Sequence, residues 1–213
     1  MIAFDLDGTI ADPIVGTAAS INYALSKLGL PLKNQADIKP YIGPSLKDIF
    51  SDLLGKKDDQ QIHTAIRYFR ERYFEIGYQE NVIYPGMREL LGELSRHGHK
   101  LYIATAKKTI MARAIADLFE IATYFDEILG CGLKRKKHEL LNDIKNKENT
   151  QNMVMVGDRH HDMQAGKACQ CLCIGVLWGY GSKEELIASG ADITCKNPNE
   201  LLRILMQKQN SLF

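Results

Sequence analysis

The sequence predicts an α/β chain: a mainly parallel sheet core, interrupted after its first strand by an all-helical insertion. Three observations carry this. From residue 84 to the segment around Cys171, apolar runs of strand length alternate with amphipathic stretches of helix length. That alternation is the pattern of right-handed crossovers in a parallel sheet. Residues 13–83, by contrast, show helical periodicity and no strand. The first apolar run, Met1 to Phe4, ends in two carboxylates two residues apart, Asp5 and Asp7, followed by Gly8 and Thr9.

Taken in order, Met1–Phe4 is the first strand. Asp12-Pro13 opens a helix, with a capping carboxylate and proline at the first helical position. Ile14, Ala18, Ile21, Leu25 and Leu28 mark its apolar face, and Gly29 followed by Pro31 ends it. Ser45 caps a second helix with the stripe Leu46, Ile49, Phe50, Leu53 and Leu54. A third runs from about Asp58 to Gly77, with Ile62, Ile66, Phe69 and Tyr73 inward. After Pro85, helix 86–97 precedes strand 100–104, and helix 109–118 precedes strand 127–130. Helix 137–146 leads to strand 152–156, and helix 160–168 to a strand around Cys171. The tail Gln207–Phe213 is expected to fray.

Several strand ends carry chemistry. Asp5 and Asp7 can converge on one pocket because the chain turns after the strand, and Gly8 permits a tight turn. Paired carboxylates there suit an oxygen-preferring cation such as Mg²⁺, although the same tetrapeptide also occurs in calcium loops and ordinary turns. Strand 100–104 runs into Thr105-Ala106-Lys107-Lys108, and strand 127–130 leads to the basic run 134–137. Strand 152–156 runs into Gly157-Asp158, with Asp162 one helical turn on. In open α/β sheets the ligand site lies at the carboxyl ends of the strands, where these residues can meet.

On these residues the chain resembles the haloacid dehalogenase superfamily, specifically its phosphatases of the phosphoglycolate-phosphatase-like branch. Asp5-Leu6-Asp7-Gly8-Thr9 matches the first motif, Thr105 the second, Lys137 the third and Gly157-Asp158-x-x-x-Asp162 the fourth. Tyr84-Pro85-Gly86 and Leu177-Trp-Gly-Tyr-Gly-Ser182 are similar to that branch as well. The resemblance implies a Rossmann-like core of residues 1–12 and 84–213 with a helical cap domain at 13–83. It implies Asp5 as nucleophile and Asp7 as general acid and base. It makes Asp5, Asp7 (through its backbone carbonyl) and Asp158 the Mg²⁺ contacts, with Asp162 behind them. It gives Thr105, the Ala106 N–H and Lys137 to phosphate binding, with Lys136 the alternative lysine. The reaction implied is Mg²⁺-dependent hydrolysis of a small phosphorylated metabolite, phosphoglycolate-like or 5′-nucleotide-like. A phosphomutase of the same superfamily and a catalytically silent binding module are the competing readings. Within the cap, the Tyr41–Ser45 turn with Gly43, and Arg70 beside the packed stripe, are the candidates for substrate specificity.

Length and composition set limits that agree with this reading. Lys+Arg number 27 against Asp+Glu 26, a net charge of +1. No charge field therefore argues for nucleic acid or a membrane surface as partner. No basic segment followed by an apolar run opens the chain, and no run of about 18 apolar residues exists, so a cytoplasmic location is expected. The five cysteines are an odd count, and Cys169-x-Cys171-x-Cys173 is too closely spaced for an ordinary zinc site. Its context reads as a buried strand. His160 and His161 are expected to point apart on their helix, and Trp178 to pack at the core edge.

Overall fold

The structure is a computed structural model that describes residues 1–55, 58–132 and 135–212, with side chains through Gln207. The chain divides into two compact units, one formed by Met1–Asp12 together with the chain from Ile83 onward, the other by Pro13–Val82.

The first unit is built on a six-stranded sheet whose neighbours are all parallel. In chain order its strands are β1 (Ile2–Phe4), β4 (Leu101–Thr105), β5 (Glu127–Gly130), β6 (Val154–Gly157), β7 (Leu172–Val176) and β8 (Ile193–Cys195). Two-residue strands β2 (Ala11–Asp12) and β3 (Val82–Ile83) lie outside it. The spatial order is β5-β4-β1-β6-β7-β8. β1 is therefore central, and the strand order reverses beside it, the switch point where an open α/β sheet forms its ligand crevice. In register, Phe4 lies beside both Ile103 and Val156, so β1, β4 and β6 end at one edge. Ile2, Ala3 and Phe4 are all buried, as a strand covered on both faces must be. One cover comes from α7 (Lys137–Glu148) and α8 (His160–Ala168), which bring Leu140, Leu141, Ile144 and Ala165 onto Ala3, Tyr102 and Met155. The crossovers before them are α5 (Met87–Arg96) and α6 (Thr109–Leu118).

The second unit contains α1 (Ile14–Lys27), α2 (Gln35–Ile38), α3 (Leu46–Leu53) and α4 (Asp59–Glu75), with α1 and α3 packed on α4. Ile62, Ile66, Phe69 and Tyr73 are all buried along α4. Phe69 stacks on Tyr73 at 5.2 Å and meets Phe50 edge-on at 6.1 Å. The Ser45 hydroxyl caps α3 by accepting the Asp48 N–H at 3.2 Å.

Several details differ from the sequence reading. Val82–Ile83 is a strand inside a stretch expected to have none; two residues are too few to show a period. Asp12 belongs to β2 and does not cap α1, whose N-cap is Pro13 without a side-chain bond. The alternation continues past β7 through α9 (Lys183–Ala188), β8 and α10 (Pro198–Leu212), so the backbone expected to fray from Gln207 is helical to Leu212. Ser182 caps α9 through the Glu185 N–H at 3.1 Å, a Ser-x-x-Glu signal present in the sequence. Lys134 of the basic run, and Phe213, lie outside the described residues.

Cys169, Cys171, Cys173 and Cys195 are buried and unbridged. Burial pushes the Cys171 thiol up to about 11 and Cys173 to about 12, which keeps them protonated, as structural thiols are. Among the described residues no helix is long and apolar enough to cross a membrane.

Candidate active site

Asp5 leaves β1 with its N–H still bonded to the Val156 carbonyl at 2.9 Å. The chain then closes a tight turn in which the Leu6 carbonyl accepts from Ile10 at 2.9 Å and Ala11 at 3.0 Å. Gly8 makes this possible in two ways. Its φ is +79°, and a Cβ there would stand 2.1 Å from Asp158 Oδ2. The turn leaves Asp5 and Asp7 near enough that the charge of Asp5 raises the pKa of Asp7.

Each of these carboxylates has its own ammonium. Lys137, the first residue of α7, places Nζ 3.0 Å from Asp5 Oδ1 and in contact with Asp162 Oδ1. Lys136, the N-cap of that helix, is exposed, and its backbone N–H donates to Glu139 Oε2 at 3.0 Å. Lys107 places Nζ 2.8 Å from Asp7 Oδ2. Lys107 is not among the site residues expected from the sequence, although it stands in a Thr-x-Lys run at a strand end. Thr105 closes β4, fully buried, its Oγ1 accepting the Lys107 N–H at a long 3.4 Å. Ala106 follows it in the loop.

Asp158 follows β6 and is held from several sides. Its Oδ1 accepts from the Thr9 hydroxyl at 3.2 Å and its Oδ2 from the Tyr180 N–H at 2.8 Å, while its carbonyl accepts the Gly181 N–H at 3.1 Å. A Cβ at Gly179 would stand 2.4 Å from Asp158 Cβ, so the segment 177–182 lies directly on this carboxylate. Trp178 is half-buried, and its Nε1–H donates to the Thr9 carbonyl at 3.0 Å. Asp162 Oδ2 accepts the Arg159 N–H at 3.0 Å in the first turn of α8. His160 and His161 do not point apart: their ring centroids are 3.7 Å from each other. Glu185 draws His160 into this position, with Oε1 2.9 Å from Nδ1. Burial and the neighbouring His160 hold His161 down at about 4, so its ring is neutral.

Burial pushes the Asp5 and Asp7 carboxyls above their ordinary range, with Lys137 opposing it at Asp5 and Lys107 at Asp7. Burial, with Asp162 and Asp5 close by, raises Asp158 further. Asp5, Asp158 and Asp162 each offer an oxygen, and these atoms lie within 4.8 Å of one another. Asp5 Oδ1 has Lys137 at ion-pair distance but no hydrogen bond, and Asp7 Oδ1 is buried without one. Crowded, buried, underused oxygens of this kind fit a hard divalent cation.

In the other unit, Gly43 has φ +107° in the turn before α3. Arg70 follows buried Phe69 on α4 and is partly buried, which lowers its pKa. Arg72, by contrast, pairs with Glu80 at 2.9 Å.

Comparison with known proteins agrees with this architecture. The family model described as haloacid dehalogenase-like hydrolase matches residues 2–176. A 5′-nucleotidase of Pseudomonas aeruginosa is 35% identical over 209 residues, 96% of this chain and 94% of that protein. A phosphoglycolate phosphatase of Vibrio parahaemolyticus is 28% identical over 217 residues, 96% of this chain and 95% of its own. The crystal structure of a predicted phosphatase from Clostridium acetobutylicum superposes with a TM-score of 0.91 at 31% identity, covering 97% of both chains. With its parallel sheet, its strand-end carboxylates and a family match over most of its length, the chain belongs to the haloacid dehalogenase-like hydrolases.

Proposed function

We propose that the protein is a Mg²⁺-dependent phosphomonoester hydrolase that works through an aspartyl-phosphate on Asp5. The observation that carries this reading is the pair of carboxylates at the end of β1, Asp5 buried and Asp7 partly so, each with its own ammonium, at 3.0 and 2.8 Å. A phosphate dianion repels an anionic nucleophile, so the site must supply positive charge. Lys137 supplies it beside Asp5. Asp5, Asp158 and the Asp7 carbonyl would hold the cation, with Asp162 orienting Lys137 from behind. When bound, the metal supplies charge neutralisation for nucleophile and substrate.

In the first step Asp5 Oδ attacks phosphorus, the bond to the leaving oxygen breaks, and Asp7 passes its proton to that oxygen. In the second, Asp7 takes a proton from water, whose oxygen attacks phosphorus and returns Asp5 as a carboxylate. The upward shift of the Asp7 carboxyl by burial suits a group that must carry a proton. Thr105 and the Ala106 N–H bind phosphate oxygens at the end of β4.

Asp7→Asn tests the acid role. The substitution should cost more rate on an alkyl phosphate than on an aryl phosphate with an acidic phenol, by roughly tenfold or more. Equal losses on both, measured as release of the leaving group in a single turnover, would remove Asp7 from that role.

We propose further that Pro13–Val82 serves as a cap that sets specificity among small phosphorylated metabolites, phosphoglycolate-like or 5′-nucleotide-like. The names of the relatives support these two classes. The Tyr41–Ser45 turn with Gly43, and Arg70, contact the organic part of the substrate. Arg70→Ala and Gly43→Leu should therefore change relative kcat/KM between phosphoglycolate and a 5′-nucleotide by about tenfold, while hydrolysis of a small aryl phosphate stays near wild type. A uniform change over all three substrates would place specificity elsewhere.

A further inference from the structure

We infer that Tyr180 is a positioning residue for the metal-binding carboxylate Asp158, acting through a hydroxyl anchored on Asp12. The inference rests on the cation-binding role proposed above for Asp158. Two ends of one residue do two jobs. The Tyr180 N–H donates to Asp158 Oδ2 at 2.8 Å, and the Tyr180 hydroxyl donates to Asp12 Oδ1 in β2. Asp12 is the last residue of the core's first segment, eight residues after β1 ends at Phe4.

The segment around Tyr180 cannot hold this place by side-chain packing alone, because Gly179 and Gly181 flank it. Both glycines are required. A Cβ at Gly179 would stand 2.3 Å from the Gly8 carbonyl oxygen, and one at Gly181 2.1 Å from the Asp158 carbonyl oxygen. Such a loop approaches the carboxylate closely but has little of its own to fix its conformation. Two side chains tie it to the turn that follows β1: Trp178 through the Thr9 carbonyl and Tyr180 through Asp12. Thr9 in turn donates to Asp158 Oδ1. Both oxygens of Asp158 are thus oriented by hydrogen-bond donors belonging to one closed ring of contacts, and each oxygen keeps a lone pair for a cation. Outer contacts of this kind change metal affinity by about 10–100-fold when removed. Tyr84, near the start of the core's second segment, stands beside the same anchor: burial first, and then the charges of Asp12 and Asp158, raise its phenol.

The test is the Mg²⁺ dependence of thermal unfolding, read without substrate. Tyr180→Phe keeps the ring and the N–H to Asp158 but loses the anchor, and Asp12→Ala removes the acceptor of the same bond from its other side. Both should raise the Mg²⁺ concentration for half-maximal stabilisation by roughly tenfold, and the double variant should add little to either single one. Tyr23→Phe, which removes an exposed phenol bond to Glu71, should leave that concentration unchanged. A midpoint within twofold of wild type in both variants overturns the inference, whatever their metal-free melting temperatures. A wild type that shows no response to Mg²⁺ overturns the metal reading first and this one with it.

Discussion

Asp5→Asn is expected to abolish turnover, by on the order of 10³-fold or more, while leaving a folded protein. The side chain sits at the exit of β1, and asparagine keeps its shape. The backbone bond from residue 5 to Val156 survives the change, and Lys137 keeps its contact with Asp162. What disappears is the charged oxygen that must form the bond to phosphorus. Initial rates at saturating Mg²⁺, compared with a melting curve for the same preparation, check this. A cooperative melt together with near wild-type rates would exclude Asp5 as nucleophile.

Lys137→Met should do two kinds of damage. The ammonium lies between Asp5 and Asp162, both buried, and the carboxylates raise its pKa against the opposing effect of burial. Removing one partner of a buried ionic cluster leaves the others uncompensated, at a cost of about 3–5 kcal/mol. The same loss removes positive charge from the point where negative charge develops, which costs about 10²–10³ in kcat. Denaturant unfolding in the absence of metal measures the first effect and single-turnover kinetics the second. Lys136→Met, one residue earlier and exposed, should leave both within about twofold in rate and about 0.5 kcal/mol in stability. Equal effects from the two lysines would contradict the geometry.

The contrast between these lysines shows where sequence reading reaches its limit. Asp5, Thr105 and Asp158 are legible because each stands where an apolar run stops, and a parallel sheet brings such ends together at one edge. Which of several consecutive bases turns inward depends on the residue at which α7 starts; a helix expected over 137–146 favours Lys137 and leaves Lys136 as the alternative. Lys137 is its first residue and reaches Asp5, while Lys136 lies outside the helix. The Lys107–Asp7 pair joins two strand ends far apart in the chain: the Thr105-Ala106-Lys107 run is visible in the sequence, but its partner is not. The contact of Tyr180 and Gly179 with Asp158 is hidden for the same reason. Asp12 misleads more directly. A carboxylate before a proline is a sound capping signal, but here a tyrosine 168 positions away takes the side chain and β2 takes the backbone. The paired imidazoles of His160 and His161 likewise reflect a tertiary partner, Glu185, that helical geometry alone does not reveal.

The central claim is a covalent bond between Asp5 and phosphorus, and chemical trapping tests it most directly. Asp7→Asn is the form to use. An aryl phosphate needs little proton donation to react, whereas water attack on the intermediate loses its base. The variant, mixed with an aryl phosphate and Mg²⁺, is quenched in acid and reduced with borohydride, which converts an aspartyl-phosphate into homoserine. Peptide mass spectrometry should find homoserine at position 5, in proportion to a burst of released phenol of about one equivalent. A burst of that size with Asp5 intact, or with the phosphoryl group on another residue, would contradict the mechanism.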